Sequence, residues 1–189
     1  MDMITELLSK RGQSACIGKD LIEILDPLFY QNAEMTKLDR KKLDIIRETV
    51  SSYRAQAIQG KKIVGTEAAM LAALNLFTDQ DQEELVVIFL STKNQVLKTS
   101  RIFKGTLNMS VCTPREVFKE ALTVPCAGFI MAHNHPSGDP TPSAADVQTT
   151  KRFIEAGEIL GIHCLDHVVV ARETARSIRD LNPGIWEGL

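Results

Sequence analysis

The sequence predicts an α/β fold, a mixed sheet flanked by helices and preceded by a helical segment. Three observations predict it. Residues 1–60 carry apolar residues at helical spacing and no strand signal. Beyond about residue 63 come short apolar runs rich in β-branched and aromatic residues: LVVIFL (85–90), AGFIMAH (127–133) and IHCLDHVVVA (162–171). Amphipathic segments separate the later runs, so the order is strand, strand, helix, strand, helix, strand, which suits a mixed sheet packed against helices.

In chain order, DLIEILDPLFYQ reads as a helix. KLDRKKLDIIRETVSSYRAQAI is a second, with Leu38, Leu43, Ile46, Val50 and Ala57 on one stripe and Gly60 as a helix stop. A helix is expected over 66–76, capped by Thr66, followed by the polar loop DQDQEE. LVVIFL is a strand buried on both faces, TKN a turn, and QVLKTSRIF the strand that pairs back. TPREVFKEAL is a helix with Thr113 as N-cap and Pro114 in its first turn. AGFIMAH is the third strand, SAADVQTTKRFIEAGEILG (143–161) a long amphipathic helix, and IHCLDHVVVA the fourth strand. The expected division is a helical region over 1–62 and an α/β domain over 63–189.

Composition narrows the function classes. The chain has 189 residues, 44% hydrophobic and 24% charged, with net charge −2, so no overall field draws it to nucleic acid or anionic membrane. Arg40-Lys41-Lys42 and Lys61-Lys62 are short basic clusters that suit solvated faces. MDMITELLSKRG lacks the pattern of a secretory signal, and no apolar run reaches the ~18 residues of a membrane span. Cys16, Cys112, Cys126 and Cys164 are far apart and form no Cys-x-x-Cys, which suits reduced thiols in a cytoplasmic protein and no cysteine metal site.

The stretch AHNHPSGDPTPSAAD (132–146) carries the chemistry. His133 and His135 lie two apart at the end of a strand and so share one side, with Asn134 turned away and Pro136 ending the strand. Ser143 is an N-cap, which makes Asp146 the third helical residue, on the stripe shared by Thr150, Phe153, Gly157 and Leu160. A carboxylate there points back toward the strand end. Two imidazoles and a carboxylate suit zinc with one position left for water. Ser143-x-x-Asp146 also reads as a capping box, which needs no metal.

The spacing His133-x-His135, seven residues, Ser143-x-x-Asp146 resembles the JAMM (MPN-type) metalloprotease motif. The fuller text HNHPSGDPTPS is similar to the RadC family, bacterial proteins long labelled as DNA-repair proteins. STKNQVLKTSRIFKGTLN, PREVFKEAL and LDHVVV fit that family's pattern in order, from roughly Gly60 to Val170.

The resemblance implies a JAMM/MPN-like (cytidine-deaminase-like) fold and a zinc ion held by His133, His135 and Asp146. It implies that Ser143 stabilises a developing oxyanion. It places a glutamate just before the first strand, at Glu83, with adjacent Glu84 as the rival; Glu83 shares its side with Leu85, Val87 and Phe89. Asp166-His167 matches the family's Asp-His, as support behind the ligands. His163 and His167, four apart, share a face of the strand and are expected to be structural.

The implied activity is hydrolysis of a peptide or isopeptide bond in a peptide or protein substrate. A DNA-associated accessory role and a metal-stabilised interaction module are the competing readings. Relatives carry an N-terminal helix-hairpin-helix region, whereas residues 1–60 here hold no Gly-rich hairpin, and Ser177 is the counterpart of a late family serine. The full ligand set with Glu83 favours the hydrolase. The lack of a basic stripe disfavours DNA.

Overall fold

The computed structural model describes residues 3–25, 27–77, 82–104 and 113–187. The chain divides into two compact units, Met1–Tyr53 and Arg54–Leu189. The division falls within a helix, ahead of the change of character near residue 63.

The first unit is helical: α1 (Met3–Glu6), α2 (Lys10–Ala15), α3 (Leu21–Ile24), α4 (Pro27–Asn32) and α5 (Lys37–Ala57), whose last turn runs into the second unit. Leu8, Cys16, Ile24, Tyr30, Met35 and Leu43 form its core. DLIEILDPLFYQ is thus two helices rather than one. Proline supplies no N–H to a preceding turn, and Pro27 instead opens α4. On α5 the expected stripe is only partly buried: Leu43 is inside, whereas Leu38 is 61% exposed. Asp39, 1% exposed, replaces it as the inward group in the first turn. Its carboxylate accepts from the Ser9 N–H (2.8 Å) and hydroxyl (2.6 Å) and from the Thr36 N–H (3.1 Å) and hydroxyl (2.7 Å).

The second unit is a five-stranded mixed sheet of order β2-β1-β3-β4-β5, with helices on both faces. Its strands are β1 (Glu84–Leu90), β2 (Val96–Lys104), β3 (Gly128–Asn134), β4 (His163–Ala171) and β5 (Thr174–Ser177). All pairings are antiparallel except β3 with β4. Residues of β1 alternate between two cores. Val86, Ile88 and Leu90 pack with Ala69, Ala72 and Ala73 of α6 (Gly65–Leu74). Leu85, Val87 and Phe89 pack with α7 (Pro114–Ala121) and α8 (Ala144–Leu160). This double burial is why β1 and β3 read as continuous apolar runs.

Several local expectations are corrected. Helix α6 begins at Gly65, whose φ of +82° glycine adopts freely, so Thr66 lies inside the helix and Val64 precedes it without a side-chain cap. Thr113 is the N-cap of α7 but makes no side-chain capping bond. Leu160 is 46% exposed, whereas Thr150, Phe153 and Gly157 are buried. The hairpin strand β5 and the short helix α9 (Ile178–Leu181) were not expected. Cys16, Cys126 and Cys164 are free thiols, while Cys112 and positions 79–81 of the expected polar loop lie outside the described residues. Among the described residues no helix is long and apolar enough to cross a membrane.

Alternation along β4 does not run through. Pairing with β3 shifts register between Phe129 and Ile130. As a result Cys164 packs on the α8 side and Val168 on the α6 side, four residues apart on opposite faces. Simple parity therefore does not place His163 and His167 on one face. His163 is exposed at the strand start against Glu158 (2.7 Å), and His167 is fully buried.

Candidate metal centre

His133 is the last-but-one residue of β3, directed to the α8 side with Phe129 and Met131. The sheet pairing continues one residue further, through the His135 N–H to the Val170 carbonyl (2.8 Å), before Pro136. A turn then closes from the Gly138 N–H to the His135 carbonyl (3.1 Å), with Gly138 at φ +83°. This returns the Asp139 carbonyl to 2.8 Å from His135 Nδ1. The rigid, proline-rich loop thus folds back to hold the second imidazole.

Asp146 arrives from the first turn of α8 as the third residue of a capping box. The Ser143 hydroxyl accepts the Asp146 N–H (3.1 Å), and Asp146 Oδ2 accepts the Ser143 N–H (2.7 Å) and hydroxyl (2.6 Å). Capping box and candidate ligand are therefore the same residue. Comparison with Thr36-x-x-Asp39 shows what distinguishes them. Both oxygens of Asp39 are taken by Ser9 and Thr36. Asp146 commits Oδ2 to Ser143 and turns Oδ1 toward His133 Nε2 at 3.5 Å.

His133, His135 and Asp146 converge, with ligand atoms all within 4.8 Å of one another. The two Nε2 atoms are 3.0 Å apart, and His135 Nε2 is 3.5 Å from Asp146 Oδ2. His133 and Asp146 are buried, while the His135 side chain is 19% exposed, so the cluster reaches solvent on one side. A carbonyl only accepts, so His135 Nδ1 carries a proton toward Asp139, and in the neutral ring Nε2 holds the lone pair. A carboxylate and such lone pairs facing one point suit a divalent cation, with two imidazoles and one carboxylate as the donor set.

The electrostatics agree. Burial opposes charge on Asp146, yet the two imidazoles and Ser143 outweigh it and hold the carboxyl well below the ordinary carboxylate range. The bond to Asp146 raises His135 above its ordinary value against the opposing effect of burial, with Asp139 and the negative charges of Asp146 and Glu83 adding to the rise. Burial raises Glu83, and Asp146 adds to this, while His133 and His135 oppose it. Glu83 is half-buried and lies two residues ahead of Leu85, the partner of His133 across β1 and β3, which puts it at the strand end beside the cluster.

Glu84 points elsewhere. It is 2% exposed, between Arg101 Nε (2.7 Å) and Lys104 Nζ (2.9 Å). Between the histidines, Asn134 faces away from them and is fully buried. Its Oδ1 accepts the Glu84 N–H (2.7 Å) and its Nδ2 donates to the Gln82 carbonyl (3.0 Å), bracketing the backbone of Glu83. The signal for Asn134 in the sequence is an amide set between two candidate ligands at the end of an apolar run. His167 stands behind His133, its Nε2 2.8 Å from His133 Nδ1, and its Nδ1 is 2.6 Å from the Thr150 hydroxyl. Burial first, then the neighbouring imidazoles, hold His167 well below its ordinary value, hence neutral. Asp166 turns instead to Ser177, whose hydroxyl lies 2.8 and 2.9 Å from its two oxygens and also caps α9.

Comparison with known proteins agrees with this architecture. The model of the RadC-like JAB domain matches residues 64–183. A UPF0758 protein of Enterococcus faecalis is 41% identical over 130 residues, covering 69% of this chain and 56% of its own length. UPF0758 proteins of Clostridium botulinum and Desulforamulus reducens are each 52% identical, over 99 and 101 residues, covering 52% and 53% of this chain and 43% and 44% of their own lengths. The chain thus spans about half the length of the curated relatives it matches. With the match running through the whole sheet and both histidines, this chain belongs to the RadC-like JAB domain family.

Proposed function

We propose that this chain is a zinc-dependent hydrolase of the JAMM metallopeptidase type, acting on a peptide or isopeptide carbonyl. The observation that carries the reading is the convergence of His133, His135 and Asp146 with Glu83 beside them and solvent access past His135. Bound zinc would supply a Lewis acid and lower the pKa of its water to about 7. His133, His135 and Asp146 would hold the ion, three protein ligands being the number that leaves room for water.

Glu83 is the general base. Its partly buried carboxyl, raised from the ordinary value, accepts a proton and returns it to the leaving amine more readily than an exposed acid would. Glu84 is excluded from that work by its two cationic partners. Ser143 has two tasks: its hydroxyl holds Asp146 Oδ2 at rest and, on rotating away, donates to the oxyanion.

Metal analysis of the purified protein tests the site. About one zinc per chain is expected, with loss in His133→Ala and Asp146→Ala; equal zinc in all three proteins rules the site out. Glu83→Gln is expected to keep its zinc and lose hydrolysis of a peptide panel by ~10²–10⁴-fold, the usual cost of a missing general base. Full activity in Glu83→Gln refutes the mechanism even where zinc is present.

A further inference from the structure

Four hydrogen-bonding groups in a row lead from one candidate ligand to another. The Thr150 hydroxyl lies 2.7 Å from the Asp146 backbone carbonyl and 2.6 Å from His167 Nδ1. His167 Nε2 lies 2.8 Å from His133 Nδ1. The order of protons along this chain is dictated from one end. The Asp146 carbonyl can only accept, so the single Thr150 hydroxyl proton goes to it. The hydroxyl oxygen is then an acceptor, and His167 must carry its proton on Nδ1. A neutral His167 with Nδ1 protonated has a lone pair on Nε2, so His133 must carry its proton on Nδ1. That leaves the lone pair of His133 on Nε2, the atom 3.0 Å from His135 Nε2 and 3.5 Å from Asp146 Oδ1.

We propose that Thr150 and His167 are positioning residues that set the tautomer of His133, so that its Nε2 lone pair is ready for a divalent cation before the cation arrives. The proposal rests on reading the His133–His135–Asp146 cluster as a metal site. All three side chains of the relay are 0% exposed, so water cannot substitute for a missing partner without rearrangement. Asp146 has a double part, since its carboxylate faces the cation position while its backbone carbonyl starts the relay through α8. The bonds also fix the ring plane of His133, which the short side of the cluster requires.

Removing the Thr150 hydroxyl reverses the order. With no acceptor at Nδ1, His167 is better satisfied with its proton on Nε2, donated to His133 Nδ1. His133 then carries its proton on Nε2, facing the His135 lone pair and the Asp146 carboxylate. That arrangement is comfortable without metal and must be undone to bind it.

The experiment uses the full chain as wild type, Thr150→Val and Thr150→Ser, with two readouts. The first is the ¹⁵N chemical shifts of the imidazoles in the metal-free protein, at a pH above the titration of His135. The second is Zn²⁺ affinity by competition with a chromophoric chelator. Valine matches threonine in shape and in helix propensity but lacks the hydroxyl; serine keeps the hydroxyl and loses a methyl. The relay predicts an unprotonated His133 Nε2 in wild type and Thr150→Ser and a protonated one in Thr150→Val. It predicts Zn²⁺ affinity about 10–100-fold weaker in Thr150→Val and near wild type in Thr150→Ser, the usual range for a group behind a ligand. A packing role for Thr150 predicts the opposite ranking and would overturn the proposal, as would an unchanged His133 tautomer in Thr150→Val. His167→Gln, which keeps an acceptor oxygen near the position of Nε2, is expected to bind Zn²⁺ more tightly than His167→Leu; equal affinities would also overturn it. If wild type binds no Zn²⁺, the metal reading fails, and the ¹⁵N shifts still decide whether the relay orders the protons.

Discussion

At His135 a proton and a metal ion compete for the same nitrogen. Its Nδ1 is tied to the Asp139 carbonyl, so the additional proton of the imidazolium sits on Nε2, facing His133 and Asp146. Asp146 is the main reason the His135 pKa is raised above the ordinary 6.5. In the metal-free protein the raised value means that the protonated pair contributes stability in full below about 6.5, the unfolded value, and loses it as pH rises through the folded value. Metal binding runs the other way, because the ion must displace that proton. Zinc affinity is therefore expected to fall about tenfold for each pH unit below the folded pKa of His135 and to level off above it, as a one-proton exchange requires. Affinity measured across that range checks this, and a flat profile means that Nε2 of His135 is not a ligand atom. Asp146 does not contribute to the slope there, since its carboxyl titrates far lower.

Helix α8 and strand β4 meet so closely that one element locates the other. Gly161 ends α8 at φ +66°, and the Ile162 N–H returns to the Gly157 carbonyl (3.0 Å). A Cβ at Gly157 would lie 2.5 Å from the Ile162 carbonyl oxygen, which is backbone and cannot swing aside. Gly157→Ala is thus expected to destabilise the second unit by about 1–3 kcal/mol, the cost of overpacking a tight contact, read as a lower denaturant midpoint. The consequence reaches the site. Asp146 and Thr150 stand on α8 and His167 on β4, so a displaced helix alters the Thr150–His167 bond and should weaken zinc binding together with stability. Unchanged stability in Gly157→Ala would show that the two elements have more room than a 2.5 Å approach allows. On the opposite side of the sheet, Asn134 couples β3 to the entry of β1 in the same manner, through bonds to the backbone on either side of Glu83.

At the scale of the whole molecule, the unit that contains the candidate metal site begins ahead of the sheet. Residues 54–62 belong to it by contact: Ile58 is in its core, the Gly60 N–H donates to the Val96 carbonyl (2.8 Å), and the Val96 N–H donates to the Lys61 carbonyl (2.9 Å). A truncated protein starting at Arg54 is expected to fold and keep its zinc. One starting at Ile63 loses the two backbone bonds, each worth about 1 kcal/mol net, and Ile58, worth about 1.5–3 kcal/mol of burial. It is expected to melt well below the longer version while binding zinc in its folded fraction. Thermal melts of the two, with zinc content at low temperature, test this; equal melting would mean that residues 54–62 contribute nothing to the unit.

The local features were legible because they depend on neighbours in sequence. The apolar runs of β1 and β3, the shared side of His133 and His135, and Asp146 at the third position of α8 all follow from periods of two and 3.6 residues. The convergence of those three residues was legible too, since the strand end and the helix start are joined by one short loop. What the sequence could not decide were the contacts made across large separations. Periodicity does not report the register shift in β4, which breaks the parity of His163 and His167. It does not report that Glu84 faces Arg101 and Lys104. Nor does it report that Thr150, Asn134 and Asp139, read only as helix stripe, spacer and loop, hold the groups around the cluster. Thr36-x-x-Asp39 and Ser143-x-x-Asp146 are alike as local text, and only the tertiary structure separates them: Ser9 takes the free oxygen of the first, and His133 faces that of the second. The reason is physical. A carboxylate's role is set by which groups reach its oxygens, and in a folded chain those groups come from elements that sequence spacing does not relate.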